Sequence, residues 1–232
     1  MRWGKSKQKR ITLEEWIQIS KKSQFDETFS FLQYCLHYAA TIDEKIDVLN
    51  YVLTVLREDL KYSLIAEVIY KEEAIDLDTR FFPDYKTLDG TWENIKEYQS
   101  ETTKEIVLSE DCVIGIPWKP DRIWEKVTFM LKEPFIRDSN HQAIYFPELK
   151  VCFVLSGNHS IAVGVIYKKG VIKANECSII PAFAHLKSDG DNWINSHTNE
   201  ILEPVKDFRI AAMYEIARLI HQYEEKVNAD IT

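Results

Sequence analysis

An α+β fold is what this sequence predicts: an N-terminal helical layer packed on a C-terminal mixed sheet with flanking helices. Three observations predict it. Apolar residues recur at helical spacing through the first hundred positions; the period shortens towards two after Ser100; and Val151 to Gly170 reads as an apolar strand broken at Ser156-Gly157 and followed at once by an amphipathic helix. The change of period divides the chain into a helical region over 1–100, led by a basic tail, and an α/β region over 101–232 that ends in a long helix. With 232 residues, 45% of them hydrophobic and 12% aromatic, there is ample material for a core.

The first helix is opened by Thr12 and Glu15, whose spacing lets each side chain satisfy a backbone donor, and Leu13, Trp16 and Ile17 supply its apolar face. A second helix is expected from Asp26, with Phe29, Leu32, Leu36 and Ala39 or Ala40 on one side and His37 among them as a packed or half-exposed histidine. Thr41 and Glu44 form another capping box, ahead of Ile42, Ile46, Leu49, Leu53 and Leu56, and a further helix is expected from Leu60 to Ala74. Asp76 to Gly90 carries turn chemistry in Pro83, Asp84, Asp89 and Gly90, and a short helix is expected over Thr91 to Tyr98.

Beyond Ser100, strands are expected at Glu105–Leu108 and Cys112–Ile116. Gln142–Phe146 and Val151–Leu155 flank the turn Pro147 to Lys150 and read as a β-hairpin. Pro120 suits a first helical turn, where its missing N–H costs nothing, and Ile123, Trp124, Val127 and Leu131 follow on one face until Pro134. Val171 to Ile180 is the last expected strand. Pro204 is expected to open the long final helix, with Val205, Phe208, Ala212, Ile216, Leu219 and Tyr223 buried.

Charge narrows the classes of function. The net charge of −8 argues against a protein that coats nucleic acid by bulk charge. Arg2, Lys5, Lys7, Lys9 and Arg10 concentrate positive charge in the tail, which reads as a solvated segment. The six tryptophans are scattered, so no base-stacking platform is indicated. No apolar run is long enough to span a bilayer or serve as a secretory h-region, and a cytoplasmic location is expected. Cys35, Cys112, Cys152 and Cys177 lack the close spacing of a zinc site or disulfide framework and read as reduced thiols. Ser188-Asp189-Gly190-Asp191-Asn192 through His197, and Asp138 to His141, read as surface loops, with His141 kept in view because loops so often carry function.

The candidate site is the turn at Ser156 to Ser160. A strand feeding a short turn into a helix leaves the first helical N–H groups pointing outward, which favours an anion. Gly157 lets a backbone approach a ligand, Asn158 can cap, and His159 offers a donor. A purely structural reading stands beside this one, with Ser156 or Asn158 as an N-cap and His159 bonded to a neighbouring strand. The letters Ser-Gly-Asn-His do not indicate an acyl-transfer hydrolase, because residues adjacent in sequence lack the geometry of a triad.

Residues 112–181 resemble the ParB/sulfiredoxin-like fold, in which a strand ends in a G-x-H-R loop that caps a helix and grips nucleotide phosphates. The matching residues are Ser156 to Ser160 with Ile161-Ala162, and upstream Ile116-Pro117, Pro120 and Arg122. Ser160 stands where that family has arginine, so a bidentate clamp is missing and positive charge must come from Arg122, Lys119, the Lys168-Lys169 pair or Mg²⁺. The resemblance implies phosphate binding by Gly157, Asn158, His159, Ser160, Arg122 and Lys119, with a nucleoside triphosphate and Mg²⁺ as cofactor; Glu125, one helical turn after Arg122, is a candidate metal or base position or a solvated carboxylate on the helix's polar face. It is compatible with two functions: a nucleotide-binding or nucleotide-hydrolysing protein whose N-terminal helices recruit a protein partner, or a non-catalytic interaction protein of a bacterial or phage mobile element or defence-related locus.

Overall fold

The computed structural model describes residues 13–70, 80–95 and 99–231, and its architecture is α+β. Two long helices, α1 (Leu13–Tyr38) and α2 (Ile42–Tyr70), open the chain. α1 runs through Asp26 rather than restarting there. No glycine or proline interrupts it, and Lys22 pairs with Asp26 one turn on, inside the helix. Likewise α2 continues through Leu60, because Leu49, Val52, Leu53, Leu56, Leu60, Ile65 and Val68 keep one face buried throughout. His37 is exposed, not packed among the apolar residues. Thr12, the side chains of residues 13–18, the basic tail and residues 71–79 lie outside the described residues.

The break between the helices is set by local chemistry. Glu44 N–H donates to Thr41 Oγ1 at 3.1 Å, and Thr41 N–H donates to Glu44 Oε2 at 3.1 Å, so the capping box forms as its spacing requires. Thr41→Ala is expected to cost about 1 kcal/mol, read as a lower urea midpoint with an unchanged slope.

Strands β1 (Tyr85–Lys86) and β2 (Trp92–Glu93) pair antiparallel, so the start of the short helix expected over Thr91–Tyr98 is strand instead, and residues 96–98 of that span lie outside the described residues. Gly90, at φ 87°, closes a turn in which Thr87 N–H reaches Thr91 O, and that turn folds Trp92 back against Lys86. The central sheet has the order β3-β7-β5-β6-β4, from β3 (Gln99–Val107), β4 (Cys112–Ile114), β5 (Gln142–Phe146), β6 (Val151–Ser156) and β7 (Val171–Cys177). It is mixed: β4 runs parallel to β6, and β5 parallel to β7, whereas β3–β7 and β5–β6 are antiparallel. The β5–β6 pair is the expected hairpin.

Both sheet faces are covered, and the strand period of two sorts their side chains. Ile114, Ile144, Phe146, Val151 and Phe153 join the core that holds α1, α2 and α5 (Phe208–Ile231). The alternate residues Val113, Ala143, Tyr145, Cys152 and Val154 meet Ile161, Ala162 and Val165 of α4 (Asn158–Tyr167). One apolar cluster therefore spans residues on both sides of position 100.

The final third departs furthest from expectation. The strand from Val171 stops at Cys177 and gives way to a 3₁₀ turn at Ile180–Ala184 containing Pro181. β8 (Leu186–Ser188), β9 (Asn192–Asn195) and β10 (Ile201–Pro204) form a separate antiparallel sheet in place of the expected surface loop. Asp189 Oδ1 accepts the N–H groups of Asp191 and Asn192 and so closes the β8–β9 turn, and Trp193 is buried beneath it. Pro204 ends β10 instead of opening the helix. Asp207 caps α5 by accepting the Arg209 N–H at 2.9 Å. Val205, Ala212 and Ile216 are buried as expected, whereas Phe208, Leu219 and Tyr223 only pack partly against the core.

Among the described residues all four cysteines are free thiols. Burial raises Cys112 to about 12 and Cys177 to about 11. No helix of the described residues is long and apolar enough to cross a membrane.

Candidate functional site

The site lies where the sheet's chain direction dictates. Parallel strands β4 and β6 end side by side, each delivering its chain into a helix: α3 (Pro120–Lys132) after β4, and α4 after β6. Crevices beyond the carboxyl ends of neighbouring parallel strands are the usual ligand positions of α/β sheets. Here that end opens into a cleft of about 430 Å³.

Its floor is the predicted turn. Gly157 is the N-cap of α4, at φ 83° and ψ 17°, and no side chain caps the helix. The first-turn amides are thus left for solvent or a ligand. The glycine is required twice over. The left-handed backbone disfavours any Cβ, and a Cβ there would also collide with His141 Cδ2 and lie 3.2 Å from Asn140 O.

Asn158 and His159 behave differently from a simple phosphate grip. Both are 5% exposed. Asn158 Oδ1 accepts the Ile116 N–H at 2.7 Å, and His159 Nε2 accepts the Lys119 N–H at 3.2 Å. These two side chains pin the β4–α3 connection to the start of α4 through Asn158 Oδ1 and His159 Nε2, and the amides of the first helical turn stay open beside them. Because Nε2 is an acceptor, neutral His159 carries its proton on Nδ1. The ring stands edge-on to Trp118 with centroids 4.2 Å apart.

Ser160 is fixed by a relay. Asp138 N–H donates to His141 Nδ1 at 3.1 Å, which places the imidazole proton on Nε2; Nε2–H then donates to Ser160 Oγ at 2.7 Å, and Ser160 donates to Gly157 O at 3.0 Å. Asp138 Oδ1 lies 3.8 Å from the same Nδ1. The groups invite comparison with a serine–histidine–aspartate triad, but the tautomer is the wrong one. Nε2 holds a proton and cannot take one from Ser160, so the relay is structural.

Arg122, Glu125 and Lys126 line the cleft from α3 and are exposed. Trp124 and Leu131 are each 67% exposed, not on the packed face; Met130 is buried and Ile123 and Val127 half-buried instead. That rotation turns Arg122, Glu125 and Lys126 towards α4. Lys119 does not line the cleft, although its charge bears on His159. Lys168 and Lys169 sit at the opposite end of α4, where Lys169 Nζ bonds Met130 O. A helix of ten residues puts them about 15 Å away.

The residues that sequence reading does not bring to this site are Trp118, Lys126, Asp138 and Asn140, together with His141 as their neighbour. Signals for them exist. Lys126 follows Arg122 by four residues, on one helix face. The hairpin register aligns Gln142 with Ser156, so whatever precedes Gln142 must lie beside Gly157.

Electrostatics within the cleft are local. Burial, then the charges of Arg122, Lys126 and Lys119, push His159 down to about 4. His141 is lowered by burial and by Lys126 and Arg137, against the opposing charge of Asp138. Well above pH 6.5 the two rings are neutral whether the chain is folded or not. Between 6.5 and about 4 the unfolded chain binds a proton that folded His159 refuses, so stability should fall as pH is lowered through that window. Urea unfolding at pH 7 and pH 5 measures this, and His159→Gln, which keeps an acceptor for Lys119, should reduce the difference and leave the part that His141 contributes.

Among the described residues no group of three histidine, cysteine or acidic side chains converges as a metal cluster. No curated protein and no solved structure matches the chain. A family profile does, over residues 8–227, which is nearly the whole length. The chain belongs to DUF6710, a family of unknown function.

Proposed function

We propose that the cleft between α3 and α4 binds the phosphate of a nucleotide. The observation that carries this reading is the meeting of uncapped amides at Gly157 to Ser160 with Arg122 and Lys126 around one 430 Å³ opening. Among the described residues neither cation has an ion-pair partner, so both are available to an anion. The volume falls within the ordinary range for small-molecule sites. The ParB/sulfiredoxin-like resemblance of residues 112–181 points to the same turn. If the ligand is a triphosphate, Mg²⁺ would be held by Glu125 or Asp138 together with the phosphates, the usual mode for that ion.

Thermal shift with CTP, ATP and GTP, each with and without Mg²⁺, tests the proposal, because a ligand bound only by the native chain raises the melting temperature. Arg122→Gln should weaken binding by about tenfold, the value of one charge-assisted hydrogen bond. A shift that Arg122→Gln leaves intact would place the ligand elsewhere.

A second reading has its own observation. Tyr34, Tyr38, Tyr51, Tyr62, Ile69 and Tyr70 are between 50% and 80% exposed, spread along α1 and α2, and exposed apolar side chains of this kind can serve to dock a protein partner. Absence of any nucleotide effect would leave that interaction role in a mobile-element or defence setting as the better account.

A further inference from the structure

The ligand class can be specified further, and that specification rests on the phosphate reading. The cleft is polarised, not uniformly cationic. The charges that reach the His159 ring are all positive, from Arg122, Lys126 and Lys119, whereas Asp138 acts on His141 from the neighbouring 138–141 loop, beside Asn140. Glu125 is a second carboxylate in the lining. With both histidines neutral, the lining holds two cations and two carboxylates.

That balance discriminates between ligands. One phosphate brings a charge of about −1.5 to −2, which Arg122, Lys126 and the roughly half positive charge of a helix N-terminus can meet. A triphosphate brings about twice as much and would press its outer phosphates towards Glu125 or Asp138. Those carboxylates suit hydrogen-bond donors instead, such as ribose hydroxyls or a base amine.

His159 supplies an independent pointer to a ligand. The residue is 5% exposed and its Nε2 is occupied, so the proton sits on Nδ1. Among the described residues Nδ1 has no protein partner, yet it is not one of the buried polar atoms cut off from every surface. The ring lines the cleft, so a donor on an otherwise enclosed side chain opens into it. Half-buried Trp118, against the same ring, also lines the cleft, where an aromatic side chain suits a base.

We infer that the cleft takes a nucleoside monophosphate without a divalent cation, its phosphate at the α4 amides with Arg122 and Lys126, its hydroxyl or amine donors at Asp138 and Asn140, and its base against Trp118. Calorimetric titration of the full chain with AMP, CMP, GMP, UMP, ribose 5-phosphate, inorganic phosphate and ATP, in EDTA and in Mg²⁺, tests this. One monophosphate should bind in EDTA at least tenfold more tightly than inorganic phosphate, ribose 5-phosphate or ATP. Arg122→Gln should weaken the nucleotide and inorganic phosphate alike. Asp138→Asn, which keeps the acceptor for the Asn140 N–H, should weaken the nucleotide several-fold and leave inorganic phosphate unchanged.

Ribose 5-phosphate binding as tightly as the nucleotide would overturn the role given to Trp118. ATP with Mg²⁺ binding more tightly than every monophosphate, and losing that advantage in EDTA, would overturn this inference while sustaining the phosphate reading. Failure of every phosphate compound to bind would overturn both.

Discussion

Gly157→Ala is expected to lower the free energy of unfolding by about 3 kcal/mol and to abolish the phosphate binding proposed for the cleft. The left-handed backbone at φ 83° costs a residue with a Cβ about 1–2 kcal/mol. The collision with His141 adds a packing penalty of about 1–3 kcal/mol. Urea unfolding measures the sum, and a double-mutant cycle separates its parts. In a His141→Ala background the steric portion should shrink to the tight contacts with Asn140 O and His141 Cα, and the backbone portion should remain. An effect of equal size in both backgrounds would mean that His141 does not abut this turn. Binding suffers with stability because the same backbone angles aim the α4 amides into the cleft.

Tyr214→Ala should be costlier still, at about 4 kcal/mol, the usual range for deleting a buried aromatic. Tyr214 is fully buried on α5 and packs against Phe82, Phe183 and Trp193 at centroid distances of 5.6, 5.3 and 5.3 Å. Its hydroxyl donates to Leu186 O at 3.1 Å. Tyr214→Phe keeps the ring and strands that carbonyl, so it should cost about 1 kcal/mol. The contrast between the two variants, read from urea midpoints at a common slope, tells packing from hydrogen bonding. Because Tyr214 joins the 81–82 segment and the β8–β10 sheet to α5, the alanine variant should unfold the whole chain in one transition rather than release the C-terminal elements alone.

Within the candidate site, sequence reading finds what is local. Gly157, the helix after it and the proline-led α3 each announce themselves within a few residues, through backbone angles that few other side chains accept. His159 reads from sequence as a donor, and what the sequence does not show is that its Nε2 accepts from Lys119, because the β4–α3 connection lies against it. The relay from Asp138 through His141 to Ser160 joins ring and hydroxyl nineteen residues apart, which only the hairpin brings together. Elsewhere the misses share one origin. The expected α1 and α2 are too short because helical stripes carry no mark of where they stop other than a cap or breaker. β8 to β10 read as loop because their short strands gain stability from burying Trp193 under α5, not from their own propensity.

What the chain's own order of residues determined is the set of elements with strong local grammar: the Thr41–Glu44 cap, the hairpin around Pro147 to Lys150, and the left-handed turn that opens α4. Local hydrogen bonds and permitted backbone angles suffice for these. The tertiary structure alone decided the strand order β3-β7-β5-β6-β4, the neutral tautomers of His141 and His159, and the gathering of Arg122, Lys126, Asp138 and Trp118 around one cleft. Those depend on contacts between distant segments, whose free energy comes from apolar burial that no short window of sequence contains.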